Sequence, residues 1–332
     1  MDKKVSIITP CYNGEDFISR YLNSVLNQTY QNIELILVND GSTDRTEDIV
    51  KSYIPEFKEK GMELIYINQE NTGQSGALNK GLQLFTGDYL TWPDSDDILA
   101  AESIEKKVYF LEKNRNFGLV RTDAKIVYEG NLSTITGYFA RKNPNRFKED
   151  LFLDYIIEDN VWFAPGCYMI RTTSFIDVIP NKQIYPSRAG QNWQMLLPIM
   201  FKYKCGFIDE PLYTYVVRSE SHSHKITTMK DHFIRCYEHE DILLNTINSI
   251  KMNEIEKNKY IKIVEAKYIR KRFYLAIQIR DQDILEREFN LLCNSNYITI
   301  KDKVSFFLVK IKLFNIINRL RKVIKISSIE KF

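Results

Sequence analysis

Short apolar runs and stretches of helical periodicity alternate through the first hundred residues of this chain. Val5-Ser6-Ile7-Ile8-Thr9-Pro10 is an apolar run closed by proline, as in a buried strand that ends in a loop. From Glu15 to Gln28 the apolar residues Phe17, Ile18, Leu22, Val25 and Leu26 recur at helical spacing. Ile33 to Val38 predicts a second buried strand, and Thr46 to Tyr53 a second helix, with Asp44 or Ser42 as its N-cap. Met62 to Ile67, Ala77 to Phe85 and Tyr89 to Trp92 continue the series as strand, helix and strand. Such alternation with short connections predicts an α/β fold, Rossmann-like and three-layered around a mostly parallel central sheet.

In sheets of this kind, ligands bind outside the carboxyl ends of the strands. Four polar clusters fall at those ends: Pro10 to Asn13, Asn39 to Asp44, Asn71 to Gly76 and Asp94 to Asp97. One polar loop is expected by chance; four on one edge describe a site. The last cluster, Asp94-Ser95-Asp96-Asp97, packs three carboxylates into four residues. Carboxylates so close repel one another unless neutralised, and a hard divalent cation does this while taking phosphate oxygens as further ligands. A solvated Asp-rich turn is the other reading. The remaining loops suit a nucleoside diphosphate. Tyr12 could stack on a base, Asp40 could accept a hydrogen bond from a base imide, and Gly73 and Gly76 let backbone approach a ligand closely. Singly, Tyr12 reads equally as a half-buried surface aromatic, and Asp40 and Asp44 as turn and cap residues. No GxGxxG fingerprint is present, which weighs against a dinucleotide-dependent oxidoreductase.

Residues 225–332 contain neither glycine nor proline and read as a succession of helices, among them Ile234 to Ile250, Glu254 to Ile279 and Asp283 to Cys293. The expected division is an α/β domain over 1–224 and a helical extension over 225–332. A composition of 44% hydrophobic and 27% charged residues describes an ordinary globular protein, and a net charge of +3 gives no reason to expect nucleic acid. The charge is unevenly placed, however. Residues 301–332 carry nine Lys or Arg against two acidic residues, so the rest of the chain is net negative. Phe306, Val309, Leu313, Ile316, Ile317, Leu320 and Ile324 share one helical stripe, and Lys312, Arg319, Arg321, Lys322 and Lys325 lie off it. A basic amphipathic helix over 301–326 could lie in an anionic membrane surface, or dock on its own domain or on a second subunit of a homo-oligomer. Five dispersed cysteines without a CxxC pair suit a reducing compartment. No apolar leader follows Met1-Asp2-Lys3-Lys4 and no apolar run is long enough to span a bilayer. The expected location is cytoplasmic, with peripheral attachment to the inner face of the cell membrane.

The ensemble Ser6-Ile7-Ile8-Thr9-Pro10-Cys11-Tyr12-Asn13, Glu34-Leu35-Ile36-Leu37-Val38-Asn39-Asp40-Gly41-Ser42-Thr43-Asp44, Asn71-Thr72-Gly73 and Asp94-Ser95-Asp96-Asp97 resembles the family 2 glycosyltransferases in order and spacing. The likeness is specific over residues 5–100 and continues more weakly to about residue 220, through Asp209-Glu210-Pro211-Leu212-Tyr213. It implies a GT-A fold and inverting transfer of a sugar from a nucleotide donor, most often UDP-linked. The acceptor would be a hydroxyl of a growing glycan, glycolipid or glycoprotein, and the cofactor Mn2+ or Mg2+. Carried over residue by residue, it implies that Pro10, Tyr12 and Asp40 hold the base, with Asn13 and Gly73 in the same donor loops. It further implies that Asp94 and Asp96 form a DXD motif around Ser95, Asp96 on the metal and Asp94 nearer the ribose. A cation there would neutralise the charge growing on the leaving diphosphate, and a base opposite would take the acceptor's proton.

Two departures from the family pattern stand out. Many relatives carry a Glu-Asp pair before an aromatic residue and a helix, the Asp serving as base. The matching residues here are Gln191 and Asn192, two amides before Trp193. Asn192 cannot take a proton near neutral pH, though it can orient a hydroxyl. Glu158 and Asp159 are substitutes in the acceptor half, and helix capping is the plainer role for the pair. Relatives also place a metal-binding His about where Arg218 stands. Arg218 could contact the diphosphate through its fork of donors, and His222, in Glu220-Ser221-His222-Ser223-His224, could supply the metal contact. With the acids lost, an inactive nucleotide-sugar-binding scaffold on the same fold is the competing function.

Overall fold

The computed structural model describes residues 3–218 and 228–311. Its first elements follow the order the hydrophobic pattern predicts: β1 (Val5–Cys11), α1 (Ile18–Leu26), β2 (Ile33–Asp40), α2 (Thr46–Glu59), β3 (Glu63–Gln69), α3 (Gln74–Leu82) and β4 (Tyr89–Thr91). The boundaries shift for local reasons. Helix α2 runs through Pro55, which lies exposed, because Phe57 in the following turn is fully buried and anchors it. Helix α3 starts three residues earlier than expected, its N-cap being Gly73 at φ +83°. Strand β1 pairs in parallel with β2 and β4, and β2 with β3. Ile7, Ile8 and Leu35 to Val38 are wholly buried between the layers. Right-handed crossovers place α1 and α2 on one face and α3 on the other. Helix α3 lies so close to β1 that a Cβ on Gly81 would sit 2.3 Å from Ile8 Cγ2.

Beyond β4 the chain continues with β5 (Ile98–Leu99), α4 (Ser103–Lys113), β6 (Phe117–Tyr128), β7 (Gly137–Tyr138), α5 (Phe152–Ile157), β8 (Tyr168–Arg171), α6 (Thr172–Val178), α7 (Asn192–Lys202) and β9 (Lys204–Val217). Among the described residues these strands complete one nine-stranded sheet ordered β3-β2-β1-β4-β8-β6-β9-β5, with β7 beside β6. Parallel ladders make up most of it, and the antiparallel β8 joins the two parallel parts through β4 and β6.

By compactness the chain divides into two units, Met1–His224 with Asn245–Lys251, and Lys225–Leu244 with Met252–Phe332. The helices that follow the sheet are α8 (Met229–Ser249), α9 (Glu254–Ile279), α10 (Gln282–Asn294) and α11 (Ile300–Lys310). In the second unit Arg272 is buried between Glu240 and Glu288, and Phe289 stacks on Phe306 at 3.8 Å. Phe306 and Val309 thus pack against the cluster of Phe273, Ala276, Leu285 and Leu292. The rest of the expected amphipathic stripe, Leu313 to Ile324, lies outside the described residues. Among the described residues no helix is long and apolar enough to cross a membrane. All five cysteines are free, and only Cys293 is exposed.

Candidate active site

The polar loops at the carboxyl ends of β1, β2 and β3 are laced together by side chains. Asn13, at φ +47°, donates its N–H to Ser42 Oγ (2.9 Å), and its Oδ1 accepts from Thr43 N (2.9 Å). Asp44 accepts from the N–H groups of Glu15 (2.9 Å) and Thr46 (3.0 Å), so it bonds the first residue of α2, although the N-cap position itself is Arg45 rather than Asp44 or Ser42. Burial pushes its pKa up, but those bonds and the Thr46 hydroxyl outweigh it and hold the carboxyl below its ordinary value. Asp40 is buried, and its two oxygens accept from Thr72 N (2.9 Å), Gln69 Nε2 (2.7 Å) and Gly73 N (2.8 Å). It therefore sets the shape of the loop that carries Gly73. Arg188 clamps the same loop through Asn71, with bonds of 2.9 Å to its side chain and carbonyl. Tyr12 stands 42% exposed beside this edge, an open aromatic face. Pro10, half-buried, and the buried Cys11 are the last residues of β1, just before it.

The acidic turn follows β4. Ser95 is buried beside the Cys11 thiol. Burial, and then the charge of Asp96, push Asp94 up to about 8, against a hydrogen bond from Gln191. Burial also raises Asp96, opposed by the Arg218 guanidinium, whose Nη1 lies 3.5 Å from Asp96 Oδ2. Asp97 is 1% exposed and raised well above its ordinary value by burial and by the charges of Asp96 and Asp94. Its oxygens accept from Val216 N (2.7 Å) and the Tyr213 hydroxyl (2.7 Å). Two cations face the turn. Arg20, on α1, donates Nη2 to the Asp96 carbonyl at 2.7 Å. Arg218 also pairs through Nε with Glu129 Oε1 at 3.0 Å and lies 4.0 Å over the Phe17 ring. Arg20 and Glu129 have no motif around them in the sequence; only the fold brings them to Asp96.

On the remaining side, Gln191 is the N-cap residue of α7 but makes no capping bond with its side chain, so helix capping does not account for it. Asn192 opens the helix with its Oδ1 buried and without a hydrogen-bond partner. Glu158 ends α5 in the left-handed conformation, and Asp159 accepts from Asn160 Nδ2 at 2.8 Å. Trp162, Tyr168 and Trp193, the large aromatics of the acceptor half, are core residues. His222 lies outside the described residues.

The donor set fits a hard divalent cation. Asp94 offers a carboxylate whose charge is penalised by burial and by Asp96, and Asp96 one penalised by burial, the condition a cation relieves. Asp97 does not belong to that set, because both its oxygens are already engaged. Among the described residues no group of three or more His, Cys, Asp or Glu is placed to hold a metal ion, so the protein side chains at hand are the Asp94 and Asp96 carboxylates alone.

A sequence model described as Glycosyl transferase family 2 matches residues 6–178, more than half of the chain. The chain belongs to glycosyl transferase family 2. Glycosyltransferase GlyA of Streptococcus pneumoniae is 44% identical over 105 residues, 32% of this chain and 14% of its own length. An uncharacterized glycosyltransferase of Haemophilus influenzae is 42% identical over 130 residues, 38% of this chain and 50% of its own. The family 2 chain thus spans half or less of the length of these curated relatives. Among solved structures, S. aureus TarS 1-349 in complex with UDP-GlcNAc superposes with a TM-score of 0.63 at 19% identity, covering 94% of this chain and 88% of that one. The mannosyltransferase PcManGT of Pyrobaculum calidifontis, in complex with GDP-Man and Mn2+, reaches 0.55 at 15% identity, covering 92% and 78%. At such identities the likeness carries the fold, which is GT-A.

Proposed function

We propose that this family 2 chain is a cation-dependent, inverting glycosyltransferase that moves a hexosyl or N-acetylhexosaminyl group from UDP to a hydroxyl of a surface glycan or glycoconjugate. The observation that carries the reading is the half-buried Asp94–Asp96 pair at the carboxyl end of β4, faced by Arg20 and Arg218. A site that merely closed a turn would have no use for two carboxylates lifted toward neutrality. The complexes of the fold neighbours with UDP-GlcNAc, and with GDP-Man and Mn2+, are consistent with it.

In this reading Mn2+ or Mg2+, when bound, supplies positive charge to the diphosphate and is held by Asp94 and Asp96, with His222 as a further ligand. Tyr12 stacks on the base, and Asp40, with Pro10, Asn13 and Gly73, shapes the cleft around it. The acceptor oxygen forms a bond to the anomeric carbon while the bond to phosphate breaks, and the electron pair leaves with UDP. Asn192 presents its unpartnered Oδ1 to the acceptor hydroxyl and orients it. An amide takes no proton at neutral pH, so the hydroxyl proton passes to water. The α/β domain over 1–224 carries the chemistry. Of the basic end over 301–326, Phe306 and Val309 are spent on the helical core, so the remaining basic residues from Lys312 on would bring a cytoplasmic enzyme to an anionic membrane surface, where a lipid-linked acceptor resides.

The test is UDP release from UDP-GlcNAc and UDP-glucose with Mn2+ and with EDTA. Release that needs the cation supports the proposal. The amide pair Gln191–Asn192 favours one second reading, an inactive nucleotide-sugar-binding scaffold. UDP bound tightly, with none released from any donor and acceptor offered, would establish it.

A further inference from the structure

Arg218 is held from three directions at once. Its Nε meets Glu129 Oε1 at 3.0 Å, its Nη1 lies 3.5 Å from Asp96 Oδ2, and its plane rests 4.0 Å over Phe17. Glu129 itself is fixed, because its backbone N–H donates to the Val217 carbonyl at 3.1 Å, the residue just before Arg218. The two contacts of the guanidinium are unequal. The Glu129 bond has the length of a made hydrogen bond, whereas 3.5 Å to Asp96 is longer than a charge-assisted bond prefers. The head is therefore drawn toward Glu129 and only leans on Asp96.

We propose that Glu129 is a positioning residue: it berths Arg218 and so keeps Asp96 available to the divalent cation. This rests on the cation-dependent reading given above. A guanidinium and a cation compete for the same carboxylate oxygen, and each one bound there weakens the other by repulsion. With Glu129 ionised, the arginine has a partner to fall back on when the cation takes Asp96, and its charge stays beside the site for the diphosphate. Without Glu129, Asp96 is the ion-pair partner left to it among the described residues, and the arginine closes on it. Arg20, the other cation at the turn, donates to the Asp96 backbone carbonyl.

Mn2+ binding to the full chain without nucleotide, followed by electron paramagnetic resonance, tests the idea in four proteins: wild type, Glu129→Gln, Arg218→Gln and the double variant. Glu129 is exposed at the end of β6, so its amide leaves the fold intact, checked by an unchanged melting temperature. The expected result is a loss of Mn2+ affinity of about fivefold or more in Glu129→Gln, and less than about twofold when the same change is made in Arg218→Gln. Equal losses in both backgrounds would mean that Glu129 acts as a plain negative charge, and would overturn the proposal. So would an unchanged affinity in Glu129→Gln. Failure of the wild type to bind Mn2+ is a separate outcome, which removes the cation-dependent function and this inference with it.

Discussion

The Tyr213 hydroxyl donates to the Asp97 carboxylate at 2.7 Å, tying β9 to the acidic turn after β4. The tyrosine ring rests directly on Gly166, where a Cβ would lie 2.0 Å from its Cε2. Asp97 also takes the Val216 N–H at 2.7 Å, two residues before Arg218. One buried carboxylate therefore fixes both the turn that carries Asp94 and Asp96 and the strand that delivers the arginine.

Breaking that tie should cost stability in proportion to what is left unpaired. Tyr213→Phe removes the bond to Asp97 and the longer one that the hydroxyl accepts from Asp94 N (3.3 Å), and is expected to cost about 1–2 kcal/mol. Asp97→Ala strands both the Tyr213 hydroxyl and the Val216 N–H, and should cost roughly 3 kcal/mol. Urea denaturation reads both, and equal stabilities would show that Asp97 is not the structural link.

Asp96→Asn should lower Mn2+-dependent UDP affinity by roughly ten- to hundredfold, and EDTA should do the same to the wild type. A cation must also displace the proton that Asp94 holds up to a pKa of about 8. Mn2+ affinity should accordingly climb from pH 6 toward 8 and level off above. Calorimetry across that range decides it; UDP that binds equally well with EDTA present would end the metal assignment.

Asn192→Ala removes the unpartnered acceptor at the head of α7. If it orients the incoming hydroxyl, kcat should fall by roughly tenfold or more while the donor KM moves little. A purely structural Asn192 would instead lower the melting temperature and leave kcat in place.

Lys107 supplies a pH signature of the fold. It is fully buried, donates to the Gly166 carbonyl at 2.5 Å, and burial lowers its pKa to about 8. Because the folded value lies below the unfolded 10.5, the unfolded chain binds more protons between those limits. Stability should therefore rise with pH across that window, by at most about 1.4 kcal/mol per unit from this group. Relative to Lys107→Met the wild type should gain stability from pH 8 to 10; parallel curves would mean that the lysine keeps its charge inside.

The first half of the sheet was legible because β1 and β2 are continuous apolar runs ended by proline, glycine or aspartate, and such runs have few other uses. Strand β6 was not, since Arg121, Thr122 and Asp123 lie buried in its middle and mask the apolar pattern. Their burial depends on partners far along the chain, such as the Asn145 carbonyl that Arg121 reaches. Asp94 and Asp96 were found by local crowding of charge. Arg20 and Glu129 were not, because each is an ordinary surface residue type in an ordinary place until the chain folds.

Local chemistry, then, marked the candidate loops: periodicity sets where strands end, and strand ends in a parallel sheet are where ligands sit. Tertiary structure decided how the charges divide the work. Three neighbouring aspartates look alike in the chain, yet Asp97 is spent on Tyr213 and Val216 while Asp94 meets Gln74 and Gln191 and Asp96 meets Arg218. That division depends on distances between residues about a hundred positions apart, and electrostatic energy follows distance in space rather than separation along the backbone.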